Sequence, residues 1–261
     1  MPPLTPAVTA ALRVTGLRVT YGPSVAVEGI DLEVREGEIY GLLGPNGAGK
    51  TSALSAIEGL LRPAAGDILI GDIDARAHRM QAKAQLGVQL QATSFHSNLT
   101  LLELMRLFAG LYGVTPPPAE ISELLEEINL QDDASKRFRE LSGGQQQRFS
   151  LLIATIHDPA LVLLDEPTAG LDPQARRQLW DRIERFRKEG RSILLTTHSM
   201  EEAQAVCDRV AIMDHGKILT VGTPAGLIAA HRDDPEVRRA AHGEVSLEDV
   251  FIALTGRELR D

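Results

Sequence analysis

The chain has 261 residues, of which 43% are hydrophobic, enough for a sizeable core without support from disulfides or metals. Its formal net charge of -9 at pH 7 argues against a general nucleic-acid binder. The single cysteine, Cys207, cannot form an internal disulfide, which suits a reducing compartment. The first residues lack a basic region followed by an apolar stretch, so no signal peptide is expected. No run approaches the ~18 apolar residues that span a bilayer, so any membrane role is expected to come through a partner.

The first part of the chain predicts short strands at 12–20, 30–34, 38–43, 67–70 and 86–90. The first two alternate apolar and polar residues and lie close together, so we expect them to pair antiparallel. The third runs into a glycine-rich loop and a helix over 52–61, and strand, loop and helix in this order open a parallel α/β unit. Residues 1–10, rich in Pro, Ala and Thr, are expected to fray.

The middle of the chain, from Thr100 to Ile156, has a helical pattern. Thr100 and Glu103 form a T-x-x-E capping box that predicts the start of one helix, and a further helix is expected after Ser142. The sequence therefore predicts an α-helical insertion over about 92–158.

The last part of the chain returns to α/β character. The apolar run 161–164 predicts a strand buried on both faces, and a second such strand is expected at 192–196. Asp172 and Pro173 have the residue types of a helix N-cap and first turn, and a hairpin turn is expected at His215-Gly216. We therefore predict a core over 11–91 and 159–222 and a helical tail over 223–261.

The strongest motif fits the pattern G-x-x-x-x-G-K-[ST] of a phosphate-binding loop, with residues Gly44, Pro45, Asn46, Gly47, Ala48, Gly49, Lys50 and Thr51. Glycines let the backbone approach a ligand closely, and the helix opened by Ser52 presents its positive end to the same anion. Lys50 is expected to reach the β- and γ-phosphates and the Thr51 hydroxyl to ligate magnesium. The alternative is an ordinary glycine turn between a strand and a helix.

A second motif is an apolar strand that ends in two acids, Asp165 and Glu166. Such a strand delivers carboxylates to the edge of a parallel sheet, where ligands bind. Asp165 is expected to hold magnesium, through a water molecule, and Glu166 to act as general base on the attacking water. The alternative is a pair of solvated acids, which the upstream phosphate loop disfavours.

The third motif is Leu141-Ser142-Gly143-Gly144-Gln145. Ser142 is expected to cap a helix, so this is a second helix start suited to an anion, although the chain already has a phosphate loop. One use for both is the head-to-tail association of two copies, each supplying this loop to the nucleotide of the other.

These three motifs in this order resemble the ABC ATPase family from Leu12 to about Gly256. The resemblance implies an α/β fold: a P-loop NTPase core with an antiparallel β subdomain and an inserted α-helical signature subdomain. It also implies ATP and magnesium as ligands. Four further positions match: Tyr21 as the aromatic residue that stacks on adenine, Gln91 as a catalytic and metal-contacting glutamine, Asp172 in the dimer-contact loop, and His198 as the switch histidine at the γ-phosphate.

Each of these four residues has a simpler explanation as well. Tyr21 is also a common type of strand residue, Asp172 is explained as an N-cap, and His198 could be structural. Gln89 lies on the same face of the predicted strand as Gln91, and only the family spacing favours Gln91.

The resemblance implies partners and a place in the cell. Two chains, identical or related, would sandwich two ATP molecules beside a membrane permease at the cytoplasmic face of the membrane. No nucleic acid is expected, and membrane contact would be only through the permease. The segment 91–98, with Phe95 and His96 as contact residues, would push on the permease. The tail, with Ser246 to Phe251, is similar to the drug-resistance branch of type-2 exporters. A non-transport assembly scaffold, an importer subunit and a binding module without turnover remain alternatives.

Overall fold

A computed structural model describes residues 9–89, 95, 96, 98–241 and 243–256. The predicted frayed segment through residue 8, Gln91 and residue 257 onward lie outside the described residues. The strands are β1 (Ala10–Tyr21), β2 (Ser24–Arg35), β3 (Ile39–Leu43), β4 (Ala65–Ile70), β5 (Ile73–Asp74), β6 (Leu86–Gln89), β7 (Leu161–Asp165), β8 (Ser192–Thr197), β9 (Arg209–Asp214) and β10 (Lys217–Gly222).

The α-helices lie between and after these strands. They are α1 (Lys50–Ile57), α2 (Arg79–Ala84), α3 (Leu101–Leu111), α4 (Pro118–Glu127), α5 (Gly143–Thr155), α6 (Pro173–Lys188), α7 (Met200–Val206), α8 (Pro224–His231), α9 (Pro235–Ala240) and α10 (Leu247–Thr255). Within the described ranges, no helix is both long and apolar enough to span a bilayer.

Two sheets form the core. An antiparallel sheet has the order β2-β1-β4-β5, which confirms the antiparallel pairing expected of the first two strands. The second sheet has the order β10-β9-β3-β8-β7-β6, and all its pairs are parallel except that of β9 with β10. Every residue of β3, β7 and β8 is buried, as expected of strands covered on both faces.

The second sheet is covered by a different layer on each face. One face packs with α1 against the antiparallel sheet, in a core that includes Leu54, Tyr40 and Leu163. The other face packs against α6, α7 and the tail helices, in a core that includes Ile183 and Phe251. The strands β3, β8 and β7 are neighbours, so their carboxyl ends meet at one edge, where a ligand site is expected.

Helices α3 to α5 lie between β6 and β7 in the chain and have a core of their own. Both bonds of the predicted capping box form at the start of α3, between Thr100 and Glu103. Phe95 packs edge-on against Phe108, Phe138 and Phe149, with ring centroids 5.2, 4.8 and 5.9 Å away. The described end of the segment that follows Gln91 is therefore anchored in this helical core, whereas the His96 side chain is exposed.

Some elements differ from the sequence prediction. Helix α1 ends at Ile57 rather than near residue 61, because Glu58 is its C-cap and Gly59 takes a positive φ of 75°. Strand β5 and helices α2 and α7 were not predicted at all. They contain two, six and seven residues, too few for a periodic apolar pattern to stand out.

Candidate nucleotide site at the edge of the parallel sheet

The phosphate loop lies between β3 and α1, at the carboxyl end of the sheet. Gly49, the N-cap of α1, has a φ of 105°, and a Cβ at this position would come within 2.3 Å of the Ala26 carbonyl oxygen. Any other residue at position 49 would therefore both strain and clash. No side chain caps the start of α1, so its first N–H groups are left for an anionic ligand.

Lys50 is almost completely buried, with 4% of its surface exposed. Its Nζ donates to the carbonyl oxygens of Gly44 at 2.8 Å and Pro45 at 3.2 Å, and lies 3.4 Å from Glu166 Oε1. Burial lowers the pKa of Lys50, while the nearby Glu166 and Asp165 carboxylates oppose that shift. The loop thus holds a cation where a phosphate would meet it.

Asp165 ends β7 and is buried with only 3% exposure. Its Oδ1 lies 3.4 Å from the Thr51 hydroxyl and accepts a hydrogen bond from the Thr196 hydroxyl. A threonine hydroxyl beside a carboxylate is the oxygen donor set that Mg²⁺ prefers. The side chains of Thr51 and Asp165 therefore fit a magnesium ion shared with a nucleotide.

Glu166 stands in a strained backbone conformation, with a φ of 47°. Its N–H donates to the backbone oxygen of Thr196 at 3.1 Å and the hydroxyl of Thr196 at 3.0 Å. One carboxylate oxygen faces Lys50, and the other lies 3.3 Å from Nδ1 of His198. These two hydrogen bonds hold the strained backbone, which places the carboxylate between the loop lysine and the histidine, and such strain is typical of a functional site.

Tyr21 ends β1 beside the start of α1. Half of its surface is exposed, and its hydroxyl lies 3.4 Å from Ser52 Oγ. An aromatic face is therefore accessible next to the phosphate loop. The structure therefore brings the predicted site residues together in two groups. Tyr21 and Ser52 lie beside the phosphate loop, and the remaining group consists of Lys50, Thr51, Asp165, Glu166 and His198.

The segment Ser142–Gln145 lies apart from this cluster. Ser142 caps α5 with both bonds of a capping box, and Gln145 Nε2 donates to Asp133 Oδ2 at 2.9 Å. In the part of the chain that the structure describes, no hydrogen bond or ion pair joins this segment to the phosphate loop. Ser142 and Gly143 are exposed, and a Cβ at Gly143 would meet nothing within 4 Å. The fold of the single chain therefore gives no steric reason for that glycine.

Asp172 acts as the predicted helix cap. Its Oδ1 accepts from the N–H groups of Gln174 at 2.9 Å and Ala175 at 3.0 Å, which closes the start of α6. The N-cap role explains this residue within one chain, and a contact with a second chain stays a prediction. Gln91 lies outside the described residues, so its predicted roles stay predictions as well.

Sequence reasoning missed one residue of this site. Thr196 bonds to both Asp165 and Glu166, and so aligns the two acids with each other. The sequence contains a signal for it, because two threonines, Thr196 and Thr197, follow the apolar run 193–195 at the end of the strand. A buried hydroxyl in such a strand needs a hydrogen-bond partner, and the strand end is where a partner acid would lie.

Comparisons with known proteins agree with this geometry. The profile of the family described as ABC transporter matches residues 27–169. The protein named Nod factor export ATP-binding protein I from Cupriavidus pinatubonensis is 34% identical, covering 98% of this chain and 94% of the relative. The protein of the same name from Cupriavidus metallidurans is also 34% identical, covering 97% and 100%. The chain therefore belongs to the ABC transporter family, as a subunit that binds and hydrolyses ATP.

Solved structures agree at the level of the fold. A structure described as the ATP-binding subunit of an ABC transporter superposes with a TM-score of 0.82 at 29% identity, covering 94% of this chain and 99% of that one. An ATP-binding cassette of an ABC transporter in its ADP conformation gives a TM-score of 0.73 at 21% identity, covering 88% and 97%. This likeness confirms the predicted P-loop NTPase fold.

Proposed function

We propose that this chain powers export through a separate membrane permease, by binding ATP between two chains and hydrolysing it. The observation that carries the catalytic part is the contact of Glu166 with both Lys50 and His198 at the phosphate loop. The direction of transport rests on relatives whose printed names include export. The permease and the position of the chain at the cytoplasmic face are part of the proposal, and the same likeness supports them.

The hydrolysis step assigns one role to each side chain. Glu166 accepts the proton of the water that attacks the γ-phosphate, and His198, whose Nδ1 lies 3.3 Å from the Glu166 carboxylate, contacts that phosphate. Lys50 stabilises the charge that grows on the transferred phosphoryl group, within a loop whose N–H groups are already aligned. Lys50 exchanges its bonds to the loop carbonyls for bonds to phosphate when ATP binds. Gln91 is assigned to sense the γ-phosphate.

Two further assignments concern the two ends of the nucleotide, the phosphates with their magnesium ion and the adenine base. Thr51 and Asp165 would hold the magnesium ion, which would neutralise phosphate charge when it is bound. Tyr21 would stack on adenine from its exposed position beside Ser52.

The dimer proposal concerns the segment Ser142–Gln145. This segment is an exposed helix start, and Gly143 has open space where a side chain would stand. A nucleotide held by a second chain could approach its N–H groups closely. Asp172 would lie at the same interface. The two chains, identical or related, would then be joined by ATP and would separate after hydrolysis.

Three other functions make different predictions. An assembly scaffold of the same family would hydrolyse ATP without a membrane partner, whereas a pure binding module would show no turnover. An importer subunit would also need a permease, and only transport measurements would separate it from an exporter.

The test uses Glu166→Gln, which keeps the shape of the side chain but removes the base. We expect it to bind ATP, to lose at least 100-fold in kcat, and to elute as a dimer in size-exclusion chromatography with ATP and magnesium. Lys50→Ala is the matched control, because it should lose nucleotide affinity and stay monomeric. A Glu166→Gln protein with the activity of the unchanged chain, or one that binds ATP yet stays monomeric, would contradict the proposal.

A further inference from the structure

The first turns of α5 lie against the first turns of α6, along a contact that none of the roles above uses. A Cβ at Gly144 would lie 3.5 Å from the Cβ of Ala175, in the first turn of α6. One turn further along α5, Arg148 Nη1 donates to Gln178 Oε1 at 3.3 Å, and Arg148 Nε donates to the Ile128 carbonyl oxygen at 3.0 Å. The helix that opens with the segment Ser142–Gln145 is therefore joined to the core along α6.

A second arginine joins the same two parts of the fold in the opposite direction. Arg182 of α6 forms an ion pair with Glu127 of α4, with Nη1 and Oε2 2.7 Å apart, and the Arg182 side chain is only 13% exposed. Arg148 thus reaches from the helical insertion to α6, and Arg182 reaches from α6 to the helical insertion. The insertion is held against the core from both sides.

One further contact reaches the segment that follows the general base. Gln147 Nε2 donates a hydrogen bond to the carbonyl oxygen of Pro167, the residue directly after Glu166. Pro167 is buried, within a tight turn in which Ala169 N donates to Glu166 O at 3.1 Å. Gln147 stands four residues after Gly143, and residues four apart lie on the same face of a helix. A displacement of the start of α5 is therefore carried through one helical turn to the backbone beside Glu166.

The backbone of Glu166 is a place where a small displacement matters. Its positive φ is held by bonds to Thr196 on one side, and the bond from Gln147 holds the next residue from the side of the helical insertion. A carboxylate that activates water must lie within hydrogen-bond distance of that water. A shift of about 1 Å at this point is therefore enough to change the rate of the chemical step by roughly 100-fold.

We infer that Gln147 is a positioning residue for ATP hydrolysis, whose amide group links the place of the segment Ser142–Gln145 to the place of Glu166 in the same chain. The inference rests on the proposed function, because in the proposed dimer that segment meets the nucleotide of the second chain. It goes beyond that function by naming the bond through which contact with the second nucleotide sets the general base of this chain's own site.

The first test compares Gln147→Met with Gln146→Met. Methionine keeps the length and approximate volume of the side chain and removes the amide donor. Gln146 is the matched control, because its Nε2 donates to the carbonyl oxygens of Phe138 and Leu141, within the helical insertion, at 3.3 and 3.2 Å. We expect Gln147→Met to lower kcat at least tenfold with the Kd for ATP within twofold of the unchanged chain, and Gln146→Met to keep kcat within threefold.

Dimerisation separates this role from a change in the surface that faces the second chain. In the Glu166→Gln background, Gln147→Met should still elute as a dimer with ATP and magnesium, because Gln147 lies outside the segment assigned to the second nucleotide. Loss of the dimer together with kcat would overturn the inference, since the substitution would then act on the interface.

A double-mutant cycle with Gly143→Val tests the link itself. The bond from Gln147 to Pro167 is inferred to act when a second nucleotide engages the start of α5, and Gly143→Val prevents that engagement. Gln147→Met should therefore change kcat by less than twofold in the Gly143→Val background. A residue that only supports the fold around Glu166 would cost the same factor in both backgrounds, and that result overturns the inference as well.

Gln147→Glu is the second variant if Gln147→Met does not fold, since it keeps the size and polarity of the side chain and lacks the donor. It should show the same loss of kcat with unchanged ATP affinity, and unchanged kcat in either folded variant contradicts the assigned role. The failure of the proposed function looks different. In that case the unchanged chain shows no ATPase activity, or Glu166→Gln binds ATP and stays monomeric.

Discussion

Glu58, the C-cap residue of α1, shows how one buried acid can make the stability of the protein depend on pH. It is 6% exposed, and its Oε1 has no hydrogen-bond partner. Burial raises the pKa of Glu58 to about 7 from an ordinary value of 4.5. A hydrogen bond with Ser55 and the Lys83 charge oppose this shift, whereas Asp165 adds to it. The folded chain therefore holds a proton that the unfolded chain loses.

Glu58→Gln should remove a specific pH dependence. Between pH 4.5 and about 7 the folded state binds more protons than the unfolded state, so the Glu58 contribution to the free energy of unfolding falls as pH rises and is level above about 7. The full loss is about 3 kcal/mol. Urea unfolding at pH 5 and pH 7.5 should show that the variant gains stability relative to the unchanged chain as pH rises.

Glu123→Gln, on the exposed face of α4, is the control and should follow the unchanged chain at both pH values. Parallel pH profiles for Glu58→Gln and the unchanged chain would show that the buried carboxyl does not titrate in this range.

At the scale of elements, a substitution at the start of α5 is expected to affect function without affecting folding. Gly143→Val should fold with a free energy of unfolding within about 1 kcal/mol of the unchanged chain, because its Cβ meets no atom within 4 Å. It should nevertheless lose ATP-dependent dimerisation and at least tenfold in kcat, since the side chain would fill the space assigned to the nucleotide of a second chain. Thermal unfolding, size-exclusion chromatography and an ATPase assay measure these three effects.

Gly110→Val is the matched control, since Gly110 is an exposed helical glycine of α3 with the same open space around it. It should change neither activity nor dimerisation. Full ATPase activity in Gly143→Val would remove the main structural support for the shared nucleotide site.

The sequence predicted elements well where the local signal was long or chemically specific. The strand ending in Asp165 and the capping box of Thr100 both appear where expected. Helix α7 was missed, although Ser199 and Glu202 have the spacing of a helix cap and its third residue. In the sequence, Glu202 stands next to Glu201, and such a pair of acids is typical of a solvated helix face. Only tertiary packing, which brings Trp180 Nε1 within 3.3 Å of its carboxyl group, shows that this acid is buried.

Some parts of the site could be predicted from neighbouring residues in the sequence, whereas others depend on contacts between residues far apart in the chain. The phosphate loop is contiguous, so its residue types alone define its chemistry. The contact of Glu166 with His198 joins the ends of two strands, and the sequence supplied that pair only through resemblance to a family. Thr196 was missed for the same reason, because its partner acids lie about thirty residues away in the chain.

At the scale of the whole molecule, the proposal requires a second protein that crosses the membrane. No helix in the described ranges could do so itself. Tagged chain extracted from native membranes in mild detergent should therefore recover a protein with several membrane-spanning segments, identified by mass spectrometry. Lys50→Ala should recover the same protein, because the assigned phosphate contact is separate from the permease contact. Recovery of no membrane protein, with ATPase activity intact, would favour the assembly scaffold.

The left-handed backbone of Glu166 has a consequence for how this protein could be changed. A non-glycine residue at a φ of 47° costs roughly 1 kcal/mol or more, and the position is held because the carboxylate must face Lys50 and His198. Glycine or asparagine at position 166 would relieve this cost and abolish turnover. Laboratory evolution that selects only for heat resistance would therefore tend to replace the catalytic Glu166 early and to retain the rest of the fold.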